Sequence, residues 1–341
     1  MSKIGIAVVG FGYWGPNLVR NFRASPEFDV RFIVESKPNA QANARTRFPE
    51  VETSADYDAV LADDGVHAVA IATPTATHFP LAKAALEAGK HVLIEKPITS
   101  SAHEAQVLIA MAAERGLTLM VDHTFIYTSA VNLIREKIKS DELGELYYYD
   151  STRINLGLFQ ADVNVLWDLA VHDVSILMYL IDKKPTKVSA HGIAHVNGHP
   201  ENTAYMSLFY SDDFIAHINV NWLSPIKTRQ TLIGGEKKMI VFNDLEPTEK
   251  VKIYENGINL NVDEETSDKL KIGYRLGDIH VPHLETTEAL AVMAGHFASS
   301  IKEKSEPKTS GQMGLEIVEV LEAATQSMQR SGEPIEVGGV N

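Results

Sequence analysis

The stretch HVLIEKPIT, His91 to Thr99, decides the fold. It begins as a short apolar run, Val92-Leu93-Ile94, which reads as a buried strand, and it ends abruptly in Glu95-Lys96-Pro97. Pro97 stops the strand and biases Lys96 toward extended backbone, so the lysine projects from a sheet edge. The carboxyl edge of a parallel sheet is where open α/β proteins bind ligands. A lysine before a proline is, in isolation, an ordinary solvated turn residue. The flanking sequence gives it a different meaning.

Upstream, Ile4 to Val9 is an apolar run leading into GFGYWGPN, with Gly10, Gly12 and Gly15 in the spacing G-x-G-x-x-G and Pro16 suited to a first helical turn. In this pattern the first glycine permits a tight turn, the second lets backbone approach a pyrophosphate, and the third allows close helix–strand packing. The helix N-terminus then offers free N–H groups to the phosphates. Phe11, Tyr13 and Trp14 fill the loop between the glycines. A second strand, Asp29 to Val34, ends at Glu35, about 20 residues beyond the glycines, where such folds place an acid on the adenosine ribose. Glu35 favours NAD, whereas Ser36 and Lys37 could serve a 2′-phosphate, so NADP stays open. Further strands are expected at Ala68 to Thr73, His91 to Glu95 and Thr118 to Asp122, with helices at about Thr77–Ala88 and Ser101–Arg115. That alternation implies a parallel sheet with helices on both faces. The loop Thr73, Pro74, Thr75 to His78 and the turn Glu95-Lys96-Pro97 then emerge beside the glycine loop as candidate cofactor contacts. His78 is equally well explained as a helix N-terminal residue.

After a helix near Ser129–Lys139 the texture changes to β-branched and aromatic segments separated by turns such as Asn197-Gly198 and Asn256-Gly257. Short turns between consecutive strands imply an antiparallel sheet. The expected organisation is therefore a dinucleotide-binding domain at 1–122, doubly wound, and an α+β domain at 123–341 built on one open-faced, mostly antiparallel sheet with flanking helices. One helix, NVLWDLAVHDVSILMYLI, interrupts the strands and carries Asp168 and His172 four residues apart on one face. So apolar a helix makes a buried Asp–His pair costly unless it is satisfied, which fits either a hydrogen-bonded surface pair or an acid–base pair facing a cleft. Asp173 points elsewhere and would cap, support or contact substrate. His123, Arg153, Lys227 and Arg229 are candidate substrate contacts; the last two lie in a polar–aromatic stretch with Trp222 that is equally natural as sheet surface.

Composition narrows the partners. With 341 residues, about two domains are expected. A net charge of −14 argues against nucleic acid or an anionic membrane, both of which select basic faces. Cysteine is absent, which removes disulfides, thiolate metal sites and cysteine nucleophiles. His191, His195 and His199 run from a strand into a turn, where no helix holds them together, so no metal is expected. No apolar run reaches the roughly 20 residues of a membrane span, and the first residues enter a strand without a signal-peptide core. A cytoplasmic address is the expectation.

GFGYWG, ATPTATH (72–78), AALEAGKHVLIEKP (84–97), WDLAVHD (167–173) and GQMGLEIVEVLEAATQS together make the chain resemble the glucose–fructose oxidoreductase and inositol dehydrogenase (Gfo/Idh/MocA) family of NAD(P)-dependent oxidoreductases. The resemblance covers nearly the whole chain. It implies a Rossmann domain followed by an open-faced sheet, and assembly into homodimers or homotetramers through that sheet. By the resemblance Lys96 matches the family's catalytic lysine, and Asp168 and His172 match its D-x-x-x-H pair. The segment before Asp168 departs from the usual glycine-rich lead-in, reading DVNVLW, a form similar to a branch acting on sugar nucleotides. A hexose or nucleotide sugar is the leading substrate, with inositol or a free sugar as alternative.

The implied chemistry is hydride exchange between a nicotinamide and a secondary hydroxyl or its ketone. His172 is the preferred proton acceptor, since imidazole titrates near neutrality. Lys96 would stabilise charge on the reacting oxygen, although burial beside an oxidised nicotinamide would instead make it the base. Asp168 would orient His172 or bind a neighbouring hydroxyl. Two other classes are compatible with the same fold, an NAD-dependent glycoside hydrolase and a non-catalytic sugar or dinucleotide sensor.

Overall fold

A computed structural model describes residues 3–157, 159, 163–211, 213–255, 257–261 and 271–339. The acidic run Asp263 to Asp268, read from sequence as a solvated loop, lies outside the described residues. The chain forms two compact units, Met1–Thr128 with Thr287–Glu322, and Ser129–Thr286 with Ala323–Asn341.

In the first unit, strands β1 (Ile4–Val9), β2 (Phe28–Val34), β3 (Glu52–Ser54), β4 (Ala68–Ile71), β5 (His91–Glu95) and β6 (Leu119–Asp122) form a sheet in the order β3-β2-β1-β4-β5-β6. Every pairing in it is parallel. This is the doubly wound order of two mononucleotide-binding halves. The central strands are apolar on both faces because helices cover both, and all six residues of β1 and all four of β4 are buried. The helices are α1 (Gly15–Ala24), α2 (Pro38–Arg47), α3 (Tyr57–Leu61), α4 (His78–Glu87) and α5 (Ala102–Arg115). Sequence reading passed over β3 and the short α3, which have little apolar periodicity. Helix α5 starts and stops as its sequence predicts: Ser101 accepts from the Glu104 N–H, and Gly116 ends the helix at φ 62°.

The second unit opens with α6 (Ser129–Lys139), β7 (Leu146–Leu156) and α7 (Val171–Ile181). Strands β8 (Lys187–Ile193), β9 (Thr203–Phe209), β10 (Ile215–Asn221), β11 (Leu223–Gly235), β12 (Met239–Asn243) and β13 (Val251–Tyr254) follow. A hairpin of β14 (Gly257–Asn261) and β15 (Lys271–Arg275) forms a separate two-stranded sheet, and β16 (Ile279–His280) returns to the large one. After the helices α8 (Ala289–Glu303) and α9 (Gly311–Gln329), β17 (Ile335–Glu336) completes nine strands in the order β16-β13-β12-β11-β7-β10-β9-β8-β17. Only β7 and β10 pair in parallel; the other neighbours are antiparallel. The strands alternate with period two. Ala204, Met206 and Leu208 of β9 and Ala216, Ile218 and Val220 of β10 are buried, while the residues between them are half-buried or exposed. One face of the sheet thus makes the core and the other carries Tyr148, Tyr205 and Ile215 outward.

The chain first passes from one unit to the other at Thr128/Ser129, close to the boundary expected from sequence, but it also returns. Thr287–Glu322 returns to the first unit, because its apolar side chains complete that core. Phe297 stacks on Phe28 with ring centroids 6.0 Å apart. Glu288 binds Arg20 and Asn21 of α1, and the Val121 N–H donates to the Thr309 carbonyl at 2.8 Å. Helix α9 contributes residues to both units.

Candidate active site

Because the first sheet is parallel, the loops following β1, β2, β4, β5 and β6 leave at one edge. The glycine loop is the first of them. Gly10 sits at φ +93°, and a Cβ there would lie 2.6 Å from the Ala72 carbonyl oxygen. A Cβ on Gly15 would lie 2.0 Å from the Gly10 oxygen, so the helix could not start so close to the strand. At Gly12 a Cβ would meet no protein atom within 4 Å, which leaves backbone open to an approaching ligand. Helix α1 begins with Trp14 at its N-cap, without a side-chain cap or an acidic residue in its first turn. Its first N–H groups are therefore suited to an anion. Glu35, at the end of β2, accepts from the Phe11 N–H at 2.8 Å and the Lys37 N–H at 2.9 Å. The acid predicted for the ribose thus also ties the second strand end to the glycine loop. These residues fit a dinucleotide: a phosphate against Gly12 and the α1 N-terminus, and ribose hydroxyls toward Glu35. Tyr13 is 87% exposed at the tip of the loop, and Ser36 and Lys37 are exposed beside it.

His78 faces inward. Its Nδ1 lies 2.8 Å from the Pro97 carbonyl and its Nε2 2.9 Å from the Thr73 carbonyl. It is 1% exposed, and desolvation, the largest cause, lowers its pKa against the raising effect of these carbonyls. This side chain fastens the loop after β4 to the turn after β5. It is thereby a support for Thr73 and the Lys96-Pro97 turn, and it stands at the first residue of α4, the helix N-terminal alternative that the sequence offered beside a cofactor contact. Pro97 follows a cis peptide bond. Thr75 lies in a single 3-10 turn ahead of α4.

Around Lys96 three acid–base groups are packed inside the unit. Glu95 and Asp122 stand opposite one another in the β5–β6 pairing. Burial raises the pKa of Glu95 well above the usual carboxylate range, with the Asp122 charge adding to it. Asp122 is raised as well, by burial. His123 is 1% exposed, and neither ring nitrogen finds a partner among the described residues. Desolvation first, then the Lys96 charge, lowers its pKa to about 3, so the ring is neutral at ordinary pH. His123 is the candidate substrate contact expected from sequence, whereas Asp122 was read there only as the end of a strand. The signal was their position at and just after the end of a parallel strand.

In the second unit the Asp168–His172 segment differs from a regular helix. Leu166–Ala170 is a π turn running into α7. Single π turns inside helices occur frequently at functional sites. Asn164 holds its start, its side-chain oxygen accepting from the Leu166 and Trp167 N–H groups at 3.1 and 3.4 Å. Asp168 accepts from the Trp222 indole N–H at 3.0 Å, and both Asp168 and His172 are half-buried. Trp222, read from sequence as sheet surface, is 1% exposed and positions this carboxylate.

Asp173 takes the supporting role. One of its oxygens accepts from Ser151 Oγ at 2.7 Å, and the other from Arg153 Nε at 2.7 Å. A further bond from Arg153 Nη2 spans 3.2 Å. Arg153 was expected to contact substrate; at 3% exposure it is instead committed to a buried ion pair. Burial opposes its charge, but Asp173 outweighs that and raises the pKa. Arg229 likewise pairs with Asp244 at 3.2 Å, whereas Lys227 is exposed at an irregularity in the β11–β7 register. Among the described residues no group of three or more His, Asp or Glu is arranged to hold a metal.

Comparison with known proteins places these features in a family. Residues 4–123 match the model described as "Oxidoreductase family, NAD-binding Rossmann fold", and residues 135–337 match "Oxidoreductase family, C-terminal alpha/beta domain". Over 215 residues the chain is 35% identical to UDP-N-acetylglucosamine 3-dehydrogenase of Acidithiobacillus ferrooxidans, covering 61% of this chain and 64% of that one. It is 36% identical over 125 residues to dTDP-3,4-didehydro-2,6-dideoxy-alpha-D-glucose 3-reductase of Streptomyces violaceoruber, covering 37% and 36%. The chain thus spans less than two thirds of either relative. The solved structure of the Acidithiobacillus enzyme is similar in fold, with a TM-score of 0.79 at 24% identity over 96% of this chain and 98% of that one.

Proposed function

The chain belongs to the Gfo/Idh/MocA oxidoreductase family, and from that premise we propose that it exchanges a hydride between NAD and a secondary hydroxyl of a nucleotide-linked hexose. The observation carrying this reading is Lys96, which leaves β5 at the same sheet edge as the glycine loop and Glu35. Both relatives named above act, by their names, at carbon 3 of a nucleotide sugar. That supports the same substrate class here, with carbon 3 as the reacting position.

The bound dinucleotide supplies the hydride acceptor or donor; the chain's own groups supply position and proton management. Lys96 donates a hydrogen bond to the reacting oxygen and stabilises negative charge developing on it. His172 takes the hydroxyl proton in the oxidative direction. Asp168, held by Trp222, orients the imidazole or a neighbouring sugar hydroxyl. His123, with both ring nitrogens unpaired among the described residues, offers a neutral donor and acceptor to a sugar hydroxyl. The outward face of the nine-stranded sheet, carrying Tyr148, Tyr205 and Ile215, serves as the contact between two copies of the chain. Among the described residues no helix is long and apolar enough to cross a membrane.

The test is single-turnover hydride transfer with a panel of nucleotide sugars, read by NADH absorbance. Lys96→Met and His172→Asn are each expected to slow it by roughly 10²–10⁴-fold. Near-normal rates in both variants would sink the reading.

A further inference from the structure

The side chains beneath Lys96 bear on its charge as well as its position. In a parallel pair, residues in register send their side chains to the same face. The register of β5 and β6 therefore sets Glu95 and Asp122 side by side on one face of the sheet. Carboxylates only accept, so a bond between two of them requires a proton. The remaining oxygens have few donors. Thr124 Oγ1 donates to Asp122 at 2.7 Å, and the Trp14 indole lies 3.5 Å from its other oxygen, at the limit of hydrogen bonding. Glu95 Oε1 is buried with no partner among the described residues. The cation acting on both carboxyls is Lys96. His78 and His123 also feel the Lys96 charge, and both are held toward the neutral form.

We propose that Glu95 and Asp122 hold one proton between them, and that the single negative charge left on the pair is the built-in counter-ion of the Lys96 ammonium. Two carboxylates in contact cannot both ionise in a buried site, whereas one charge opposite one ammonium is balanced. Lys96 then meets the reacting oxygen as a charged hydrogen-bond donor, and the proton of the substrate hydroxyl goes to another group. Glu95 and Asp122 are positioning residues, acting through Lys96. The functional half of the proposal rests on Lys96 standing at the reacting oxygen; the proton-sharing half does not.

Two measurements on the cofactor-free protein test it. Infrared spectra of the unmodified protein at neutral pH, with isotope-labelled glutamate or aspartate, are expected to show a protonated carboxyl that is lost in both Glu95→Gln and Asp122→Asn. Its absence from the unmodified protein overturns the proposal, whatever the variants do. The second is titration of the Lys96 ammonium by NMR. Each single amide still leaves one negative charge beside the lysine, so each is expected to change its proton affinity by less than about 3-fold. The double variant removes the charge and is expected to lower that affinity by about 10-fold or more. Equal stepwise losses from the two singles, or no loss in the double, overturn the sharing. A normal hydride-transfer rate in Lys96→Met would fail the site assignment and leave the infrared result standing.

Discussion

Two buried acid sites, one in each unit, use the same residue types to opposite ends. Asp173 is met by Ser151 and by Arg153 through two nitrogens. Its charge is fully answered, and the side chains are locked. Glu95 and Asp122 are met mainly by each other, with one threonine hydroxyl and a distant indole. Their charge is only half expressed, and it is available to Lys96. The satisfied ion pair fixes the helix that carries Asp168 and His172; the underserved pair holds a proton in reserve near the edge where cofactor binds.

The contrast can be broken most sharply at Arg153. Arg153→Met leaves Asp173 buried without its cation and is expected to cost about 3–5 kcal/mol in urea unfolding. Combining it with Asp173→Leu should recover most of that loss, because replacing both partners with apolar groups is often neutral. A loss under about 1 kcal/mol in the single variant would show that Asp173 finds another partner.

Titration of the first unit comes next. The pKa of His123 is lowered to about 3 when folded. A group depressed on folding gives stability above its unfolded value, near 6.5, that is lost as pH falls toward the folded value. His123→Phe keeps the volume and removes the titration. It should match the parent at neutral pH and lose less stability on acidification, by on the order of a few kcal/mol across that window. Identical acid limbs would show that the imidazole is not held neutral. Glu95 runs the other way. Its folded pKa is raised, so its contribution is present at low pH and fades as pH rises through the folded value. Glu95→Gln should leave acid stability alone and lessen the loss that accompanies rising pH by on the order of 1 kcal/mol. An effect of similar size is expected at Glu35. Glu35→Ser removes the acceptor for the Phe11 and Lys37 N–H groups and should weaken NAD binding by about 10-fold, read by quenching of tryptophan fluorescence. Unchanged affinity would remove Glu35 from the cofactor site.

These residues also show what a sequence discloses. The first sheet was readable because its central strands β1, β4 and β5 are apolar runs soon followed by Gly or Pro, and because G-x-G-x-x-G lies between a strand and a helix. Alternation made the second sheet equally legible. The lysine, the glycines and the Asp168/His172 pair were visible as chemistry-bearing types at special places. Partnership was not visible. Arg153 looks like any cation for an anionic substrate until β7 sets it, in three dimensions, beside Asp173. His78 looks like a ligand contact until the loops after β4 and β5 close around it. The π turn leaves no local mark in LWDLA, since it is fixed by Asn164 at one end and by packing at the other. The shared face of Glu95 and Asp122 depends on the register of two strands 24 residues or more apart in sequence, which no pattern within either strand contains.

The return of Thr287–Glu322 to the first unit has a consequence for how the protein is made. A ribosome releases β1 to β6 early, but Phe297, which stacks on Phe28, and Thr309, which bonds both Val121 and Tyr127, are synthesised only after the whole of the large antiparallel sheet except β17. The dinucleotide-binding unit is thus begun first and finished nearly last. A fragment ending at Thr128 would leave Phe28 and the β6 edge uncovered, and a nascent chain passes through that same exposed state before its own C-terminal helices arrive to close it.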